Sequence, residues 1–165
     1  MLTPDFLDKD EAIDAVLSAH PDIFNHNLET VRRLTPAVRS RATYDRSLSV
    51  LRKVRVRSGA GHGLFSKSGL MLGLGETNEE VLAAMEDLRA VQCDILTLGQ
   101  YLQPTIHHLP VVEFVTPEQF QRYGDHARQA GFVHVASGPL VRSSYHADEF
   151  SSFQRESMPG FLRSK

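Results

Sequence analysis

The sequence predicts an α/β fold, a partial (β/α) barrel of parallel strands, and three observations support this prediction. Short apolar runs alternate along the chain with segments of helical periodicity. Such alternation is typical of βαβ units, in which a helix connects two parallel strands by a right-handed crossover. Polar residues follow the apolar runs, at the strand ends where parallel sheets place their ligands. The three or four units visible here are too few to close an eight-stranded barrel, so we expect an open or partial one.

The first half of the chain predicts two helices and one strand. We expect the first helix to begin near Asp8, with Glu11 three residues later as its capping-box partner. A short strand is expected over 22–25, and its outer edge should be open. The second helix should begin at Thr43, because apolar residues recur at helical spacing after it.

The second half of the chain repeats the alternation of strand and helix. Strands are expected over 67–72, 94–98 and 132–135. Thr77 and Glu80 have the spacing of a capping box and predict a helix start. Another helix should begin at Thr116-Pro117, because threonine is a good cap and proline suits the first helical position, and it should end at Gly131. No second domain is expected; residues 149–165 form a tail rich in serine and arginine that we expect to be flexible.

The composition excludes several functional classes. Of 165 residues, 41% are hydrophobic and 23% are charged, which is typical of globular proteins. The net charge of -2 gives no reason to expect nucleic acid or an acidic membrane as partner. There is no apolar run of the roughly 18 residues that span a bilayer, and the N-terminus lacks the features of a signal peptide. A single cysteine excludes an intrachain disulfide framework, so we expect a cytoplasmic protein.

Polar residues cluster after three successive strands. The clusters are Asn25–Thr30, Gly75–Glu76 and Gly99–Pro104. Any one of them is explained by the ordinary polarity of loops, but three in succession favour a ligand site.

Other motifs in the sequence are weak indicators of function. Gly73-Leu74-Gly75 lacks the remaining residues of a nucleotide fingerprint and indicates a tight turn. Cys93 lies in an apolar stretch and is expected to be buried and unreactive.

Four sequence blocks together resemble one known family, the lipoyl synthases. The blocks are Asn25–Thr30, Lys67–Glu76, Leu96–Pro104 and Gly138–Tyr145, and their order and approximate spacing are those of that family. Leu2–Phe6 is similar to the stretch that precedes the first block. The resemblance covers about residues 2–148, so we expect residues 1–148 to form the C-terminal half of a radical SAM barrel.

The resemblance implies a radical mechanism. In this family one [4Fe–4S] cluster reduces S-adenosylmethionine to generate a 5′-deoxyadenosyl radical, and a second cluster is the sulfur source. Sulfur is inserted at C6 and C8 of an octanoyl group on a lipoyl carrier protein or domain. Hydrogen abstraction from such unactivated carbons is beyond side-chain acids and bases, so the cofactors supply the chemistry and the protein positions them.

The chain departs from the family in its cysteines. The family's two cysteine triads precede the Leu2–Phe6 stretch, whereas this chain has Cys93 alone. We therefore expect it to hold neither cluster by itself. Three interpretations stay open. The chain is a lipoyl synthase, or the C-terminal part of one, whose activity depends on the missing half; or it is an inactive remnant or interaction module that needs a separate N-terminal half; or it is a domain that only binds S-adenosylmethionine.

The resemblance and the strand-end clusters indicate the site residues. The candidates for the S-adenosylmethionine region are Asn25, Asn27, Glu29, Arg39, Glu76 and Gln100. Glu29 is expected to accept from the cofactor's ammonium, and Arg39 to pair with its carboxylate. An open alternative is that Arg39 only forms a surface salt bridge. The resemblance implies that Ser144, or else Ser143, is an oxygen ligand of the second cluster.

Overall fold

The computed structural model describes residues 2–58 and 63–142. Ser143, Ser144 and the segment 149–165 lie outside the described residues, so the predictions made for them stay predictions. A short 3-10 helix, Phe6–Asp8, comes first. In chain order the other elements are α1 (Asp10–Leu17), β1 (Ile23–Asn25), α2 (Thr35–Val38), α3 (Tyr44–Ser58), β2 (Phe65–Leu72), α4 (Asn78–Ala90), β3 (Ile95–Gln100), α5 (Pro117–Gln129) and β4 (His134–Ser137).

The strands form one parallel sheet in the order β1-β2-β3-β4. Each strand lies beside its neighbour in sequence, as expected for successive βαβ units. Asn25 pairs with Lys67, Gly69 with Thr97, and Leu72 with Gln100. The strands therefore end at one edge of the sheet, where their following loops meet. The predicted α/β class and parallel sheet are confirmed.

The core lies between this sheet and its helices. Alternate residues of β2 and β3 contribute to it, because successive side chains of a strand point to opposite faces. Its main members are Leu70, Leu72, Leu96, Leu98, Met85, Leu88 and Phe120, all buried. A second cluster of Ile13, Phe24, Val50 and Val54 joins α1 and α3 to β1. Each buried side chain of this size contributes about 1.5–3 kcal/mol, so these contacts fix the helices on the sheet.

Two predicted helix starts are confirmed. At α4, Thr77 Oγ1 accepts from the backbone N of Glu80, and the Glu80 carboxylate accepts from the backbone N of Thr77. Both halves of the capping box are thus formed. At α5, Thr116 Oγ1 accepts from the backbone N of Gln119, with Pro117 at the first position.

The first helix begins at Asp10, close to the predicted start near Asp8, but its predicted capping box was wrong. Lys9 is the N-cap residue and makes no side-chain capping bond. The aspartate that does cap is Asp5, which accepts from the backbone N of Leu7 in the preceding 3-10 helix. The second predicted helix is confirmed as α3, one residue later than expected. The short helix α2 was not predicted, because one turn is too short to show a helical period.

The predicted open edge of β1 was wrong at Asn25. Leu2 forms a parallel bridge with this residue. Thr3 donates to its carbonyl through both the backbone N, at 2.8 Å, and Oγ1, at 3.0 Å. Pro4 favours extended backbone in the residue before it, which explains why Thr3 pairs as a strand would. Among the described residues, the longest helix is α3 with 15 residues, and none is long and apolar enough to cross a membrane.

Candidate ligand-binding site at the strand ends

The segment that follows β1 is fixed against β2 at Glu29. The backbone N of Glu29 donates to Gly69 O at 3.0 Å, and its carbonyl accepts from the backbone N of Met71 at 2.8 Å. Glu29 has a φ of 69°, a left-handed conformation that costs a residue with a Cβ about 1–2 kcal/mol. The two backbone bonds hold it there, so its side chain has a defined position at the strand ends.

Asn27 and Glu29 form a hydrogen-bonded pair. Asn27 Nδ2 donates to Glu29 Oε1 at 3.2 Å. Burial raises the pKa of the Glu29 carboxyl, although the bond from Asn27 and the positive charge of Arg39 act in the opposite direction. A buried carboxylate with a raised pKa has lost hydration that a cationic or hydroxyl-bearing ligand could replace.

Several buried polar atoms near this pair have no hydrogen-bond partner in the described part of the chain. They are Asn25 Oδ1, His26 Nε2, Asn27 Oδ1 and Thr30 Oγ1. His26 Nδ1 lies 3.0 Å from Thr3 O. Because a carbonyl only accepts, Nδ1 bears the proton and Nε2 is an acceptor. Burial lowers the pKa of His26 and favours this neutral form. Unsatisfied buried groups cost about 1–3 kcal/mol each, so this cluster favours a ligand that donates hydrogen bonds.

A cavity of about 330 Å³, which we call the polar cavity, lies between the N-terminal segment and the loop after β1. It is lined by Leu2, Thr3, Pro4, His26, Asn27, Glu29 and Arg39. Arg39 is fixed in its wall, since Nη1 donates to the carbonyls of Asn27 and Leu28 and, at 2.8 Å, to Ser47 Oγ. These contacts fix the Arg39 guanidinium in the wall of the polar cavity, which is also lined by the oppositely charged Glu29. The acceptors of these Arg39 bonds are two backbone carbonyls and a hydroxyl, so the bonds do not form a surface salt bridge.

A second cavity of about 270 Å³ extends over β2 and β3, and we call it the glycine cavity. Its lining is mostly apolar and includes Gly69, Met71, Thr97, Gly99, Leu102 and Val141, together with Gln100 and Arg142. Asn27 and Glu29 line both cavities. The pair therefore forms a shared wall between a polar space and a mostly apolar one.

Glu76 and Gln100 have internal hydrogen bonds. The Glu76 carboxylate accepts from the backbone N of Gly73 and of Leu74, at 2.5 Å and 3.0 Å, and so closes the turn after β2. Gln100 Nε2 donates to Glu113 O at 3.0 Å, and its Oε1 accepts from the backbone N of Val115 at 2.9 Å. Gln100 lines the glycine cavity, but its carboxamide holds the segment 113–115 in place.

The structure thus brings together part of the predicted site. Asn27, Glu29 and Arg39 line the polar cavity, and Gln100 lines the neighbouring glycine cavity. Neither lining includes Asn25 or Glu76. Sequence reasoning missed the contributions of Gly69, Thr97 and His26. Gly69 and Thr97 are register partners on neighbouring strands, a relation that strand pairing reveals and a single sequence does not. A cofactor role for any of these residues stays a prediction.

Cys93 is buried, as predicted, and is a poor metal ligand. Its Sγ lies 3.5 Å from Ile95 O and 3.7 Å from Ser66 O. Burial raises the pKa of this thiol to about 12, so the thiolate that binds metals is disfavoured. Within residues 2–58 and 63–142, no group of three or more His, Cys, Asp or Glu side chains is placed to hold a metal ion.

Comparisons with known proteins agree with the resemblance seen in the sequence. The model of the radical SAM superfamily matches residues 1–88. A lipoyl synthase of Caldanaerobacter subterraneus subsp. tengcongensis is 54% identical over 155 residues, which are 94% of this chain and 54% of that protein. A lipoyl synthase of Chlorobaculum parvum is 52% identical over 149 residues, 90% of this chain and 50% of that protein. Lipoyl synthase 2 of Gloeobacter violaceus is 56% identical, with the same coverage. The chain spans about half the length of these curated relatives.

Proposed function

This chain belongs to the radical SAM superfamily, and we propose that it forms the C-terminal part of a lipoyl synthase. The proposed reaction is sulfur insertion at C6 and C8 of an octanoyl group carried by a lipoyl carrier protein or domain. The observation that supports it best is the convergence of Asn27, Glu29 and Arg39 on one cavity. Relatives named lipoyl synthase, more than half identical over most of the chain, support the reaction class.

The polar cavity fits S-adenosylmethionine in the chemistry of its donors and acceptors. Ribose hydroxyls and an ammonium group are donors. They match the carboxylate of Glu29 and the acceptors His26 Nε2 and Asn27 Oδ1, which have no partner among the described residues. Arg39 is the cation for the carboxylate of the same molecule. Its hydrogen bonds to described residues all come from Nη1, so its remaining N–H groups suit a carboxylate. S-adenosylmethionine, once cleaved with one electron from a reductant outside this chain, would supply the group that abstracts hydrogen from unactivated carbons.

An iron–sulfur cluster does not fit the cysteine content of this chain. Clusters are held mainly by thiolates, and the one cysteine, Cys93, is buried with its pKa raised to about 12. We therefore assign no cluster and no step through one to these 165 residues.

The role of Ser144 as an oxygen ligand stays a prediction. A separately encoded N-terminal half also stays a prediction, since none of the relatives described above is such a protein. The alternative is an inactive remnant or interaction module, and the lack of cluster-binding cysteines in this chain fits that alternative too.

The cofactor assignment is tested by binding to the full chain. S-adenosylhomocysteine, a stable analogue that retains the ribose, ammonium and carboxylate, is titrated calorimetrically into the wild type and Glu29→Gln. Losing a hydrogen bond to a charged group is worth about 1.5–3 kcal/mol, so the variant should bind at least about tenfold more weakly. Glu113→Gln makes the same chemical change at an exposed side chain and serves as the control. Equal affinities for Glu29→Gln and Glu113→Gln would contradict the assignment.

The reaction is tested by supplying the missing cysteines. The segment of the Caldanaerobacter relative that precedes the matched region is co-expressed with this chain and an octanoylated carrier protein. Mass spectrometry of the carrier then measures replacement of two hydrogens by two sulfurs. Lipoyl product that requires both polypeptides is the expected result. Stable association of the two polypeptides without product would favour the interaction module instead.

A further inference from the structure

The loop between β3 and α5 carries a group of exposed apolar side chains. They are Leu102, Ile106, Leu109, Val112 and Phe114, of which Ile106 is 86% and Phe114 71% exposed. The other large apolar side chains that are exposed in residues 2–58 and 63–142 are scattered, at Leu2, Leu7, Val56, Val133 and Leu140. Scattered exposed apolar residues are normal, whereas several in one loop are typical of a surface that contacts another molecule. We call Ile106, Leu109, Val112 and Phe114 the apolar loop surface.

The first part of this loop is held in shape by its own hydrogen bonds. The carbonyl of Thr105 accepts from the backbone N of His108 at 3.0 Å, which closes a turn with Ile106 inside it. Tyr101 Oη donates to the carbonyl of Leu109 at 2.9 Å and ties the end of this turn to the residue that follows β3. The exposed side chain of Ile106 therefore stands on a fixed backbone.

The second part of the loop is fixed to the sheet. The backbone N of Val112 donates to the carbonyl of Gly73 at 2.9 Å. The bonds that the Gln100 carboxamide makes to 113 and 115 hold the backbone on both sides of Phe114. Since folding has already ordered this backbone, a partner that binds the exposed side chains loses little further conformational entropy.

The apolar loop surface adjoins the candidate site. The loop leaves β3 at the edge where the strands end, and its first apolar residue, Leu102, is part of the lining of the glycine cavity. Val112 lies beside the turn after β2, since a Cβ on Gly75 would lie 3.6 Å from Val112 Cγ1 and Cγ2. A molecule that rests on this surface is therefore at the rim of the site.

A polypeptide with the family's cysteine triads is a less suitable occupant of this surface. Those triads precede the Leu2–Phe6 stretch in sequence, and Leu2 pairs with Asn25 of β1. β2 lies between β1 and β3 in the sheet. Such a polypeptide would join the fold beside β1, whereas the apolar loop surface belongs to the loop after β3.

We propose that the apolar loop surface docks the lipoyl carrier protein or domain. This inference rests on the proposed function, because the substrate of that function is an acyl group attached to a carrier. A tethered acyl group reaches the strand ends only while its carrier rests on the rim of the site. The carrier also has to leave after each turnover, which suits a contact of a few apolar side chains rather than the roughly 800 Å² per partner of a stable complex. The matching carrier face is apolar and surrounds the modified lysine.

The test measures binding of the unmodified carrier protein to the full chain by NMR titration. Without the octanoyl group, only the two protein surfaces contribute to the affinity. Ile106→Ser and Phe114→Ser should each weaken the dissociation constant at least about tenfold, because the apolar burial of one side chain is lost. Val56→Ser removes an apolar side chain that is 76% exposed on α3 and should leave the dissociation constant unchanged.

Two variants keep the test decisive if one of them does not fold, and thermal unfolding checks each of them. Equal dissociation constants for the folded loop variants and Val56→Ser, or no binding of the carrier by the wild type, would overturn the proposal. Sedimentation velocity tests a second copy of this chain as the occupant. Self-association of the wild type that Phe114→Ser abolishes would assign the surface to that copy and would also overturn the proposal.

S-adenosylhomocysteine separates this inference from the proposed function. Binding of S-adenosylhomocysteine without any binding of the carrier would remove the docking surface and keep the cofactor assignment. Carrier binding that depends on Ile106 and Phe114, without binding of S-adenosylhomocysteine, would keep the docking surface and remove the cofactor assignment.

Discussion

Gly99→Ala is expected to destabilise the fold strongly, because the position has no room for a methyl group. A Cβ on Gly99 would lie 2.2 Å from the carbonyl oxygen of Val141. That atom belongs to the backbone, so a side-chain rotation cannot relieve the clash. The turn that precedes Arg142 would have to move away from β3, and Arg142 and Val141 line the glycine cavity.

The magnitude follows from the contacts that hold this turn. Gly138 N donates to Leu98 O at 3.1 Å, and Gln100 N donates to Pro139 O at 3.4 Å. Overpacking costs about 1–3 kcal/mol, and each net hydrogen bond contributes about 1 kcal/mol. Overpacking together with the loss of both bonds would therefore lower the free energy of unfolding by about 3–5 kcal/mol. The gain from a less flexible unfolded chain, about 0.4–1 kcal/mol, does not offset it.

Urea denaturation followed by circular dichroism measures this loss, with Gly138→Ala as the matched control. A Cβ on Gly138 would meet Val141 Cγ2 at 3.6 Å, an ordinary contact. The control should be neutral or slightly stabilised. The reasoning would be refuted if Gly99→Ala unfolded at the same urea concentration as Gly138→Ala.

Two further predictions concern Glu29 and the start of α4. Burial raises the pKa of Glu29, so the folded state binds the carboxyl proton more tightly than the unfolded state does. The contribution of this carboxyl to stability therefore falls as the pH rises from its pKa in the unfolded state through its pKa in the folded state. Glu29→Gln should therefore be more stable than the wild type at neutral pH, and the difference in stability should shrink as the pH is lowered. Thermal unfolding of both proteins across a pH series measures this difference. A difference that does not depend on pH would exclude the Glu29 carboxyl as its cause. Thr77→Ala should lose about 1 kcal/mol because Thr77 Oγ1 caps the backbone N of Glu80, whereas Thr77→Ser keeps the hydroxyl and most of the stability. Urea denaturation compares the two, and equal losses would argue against the cap.

Much of the sheet was predictable because apolar runs mark buried strands. The predicted strand ends are wrong where polar residues extend a strand beyond its apolar run. β2 begins at Phe65, two residues before the predicted start. Ser66 is buried in it because its backbone N and Oγ both donate to Asp94. β3 continues to Gln100, beyond the predicted Leu98, because the Gln100 side chain is buried on partners from another segment. Hydropathy along the chain does not reveal partners that lie far away in sequence.

The candidate site was predictable as a region but not residue by residue. Parallel strands bring their carboxyl ends to one edge, so the clusters after β1, β2 and β3 were expected to meet. Sequence does not tell a carboxylate that closes its own turn, as Glu76 does, from one that faces a cavity, as Glu29 does. His26 was missed because its role depends on Thr3, which fixes the protonated nitrogen and leaves the other as an acceptor.

Several unfavourable features occur together in the segment after β1, which contributes to both cavities. Glu29 has a left-handed backbone and a buried carboxyl with a raised pKa, and His26 and Asn27 have buried acceptors without partners in the described part of the chain. At the N-terminus of α4, in contrast, the cap formed by Thr77 follows the local sequence preference. Each of these features lowers the stability of the free protein, so folding alone does not explain them. A ligand that donates hydrogen bonds to this segment would satisfy the same atoms, and its binding free energy would be added to the stability of the folded state.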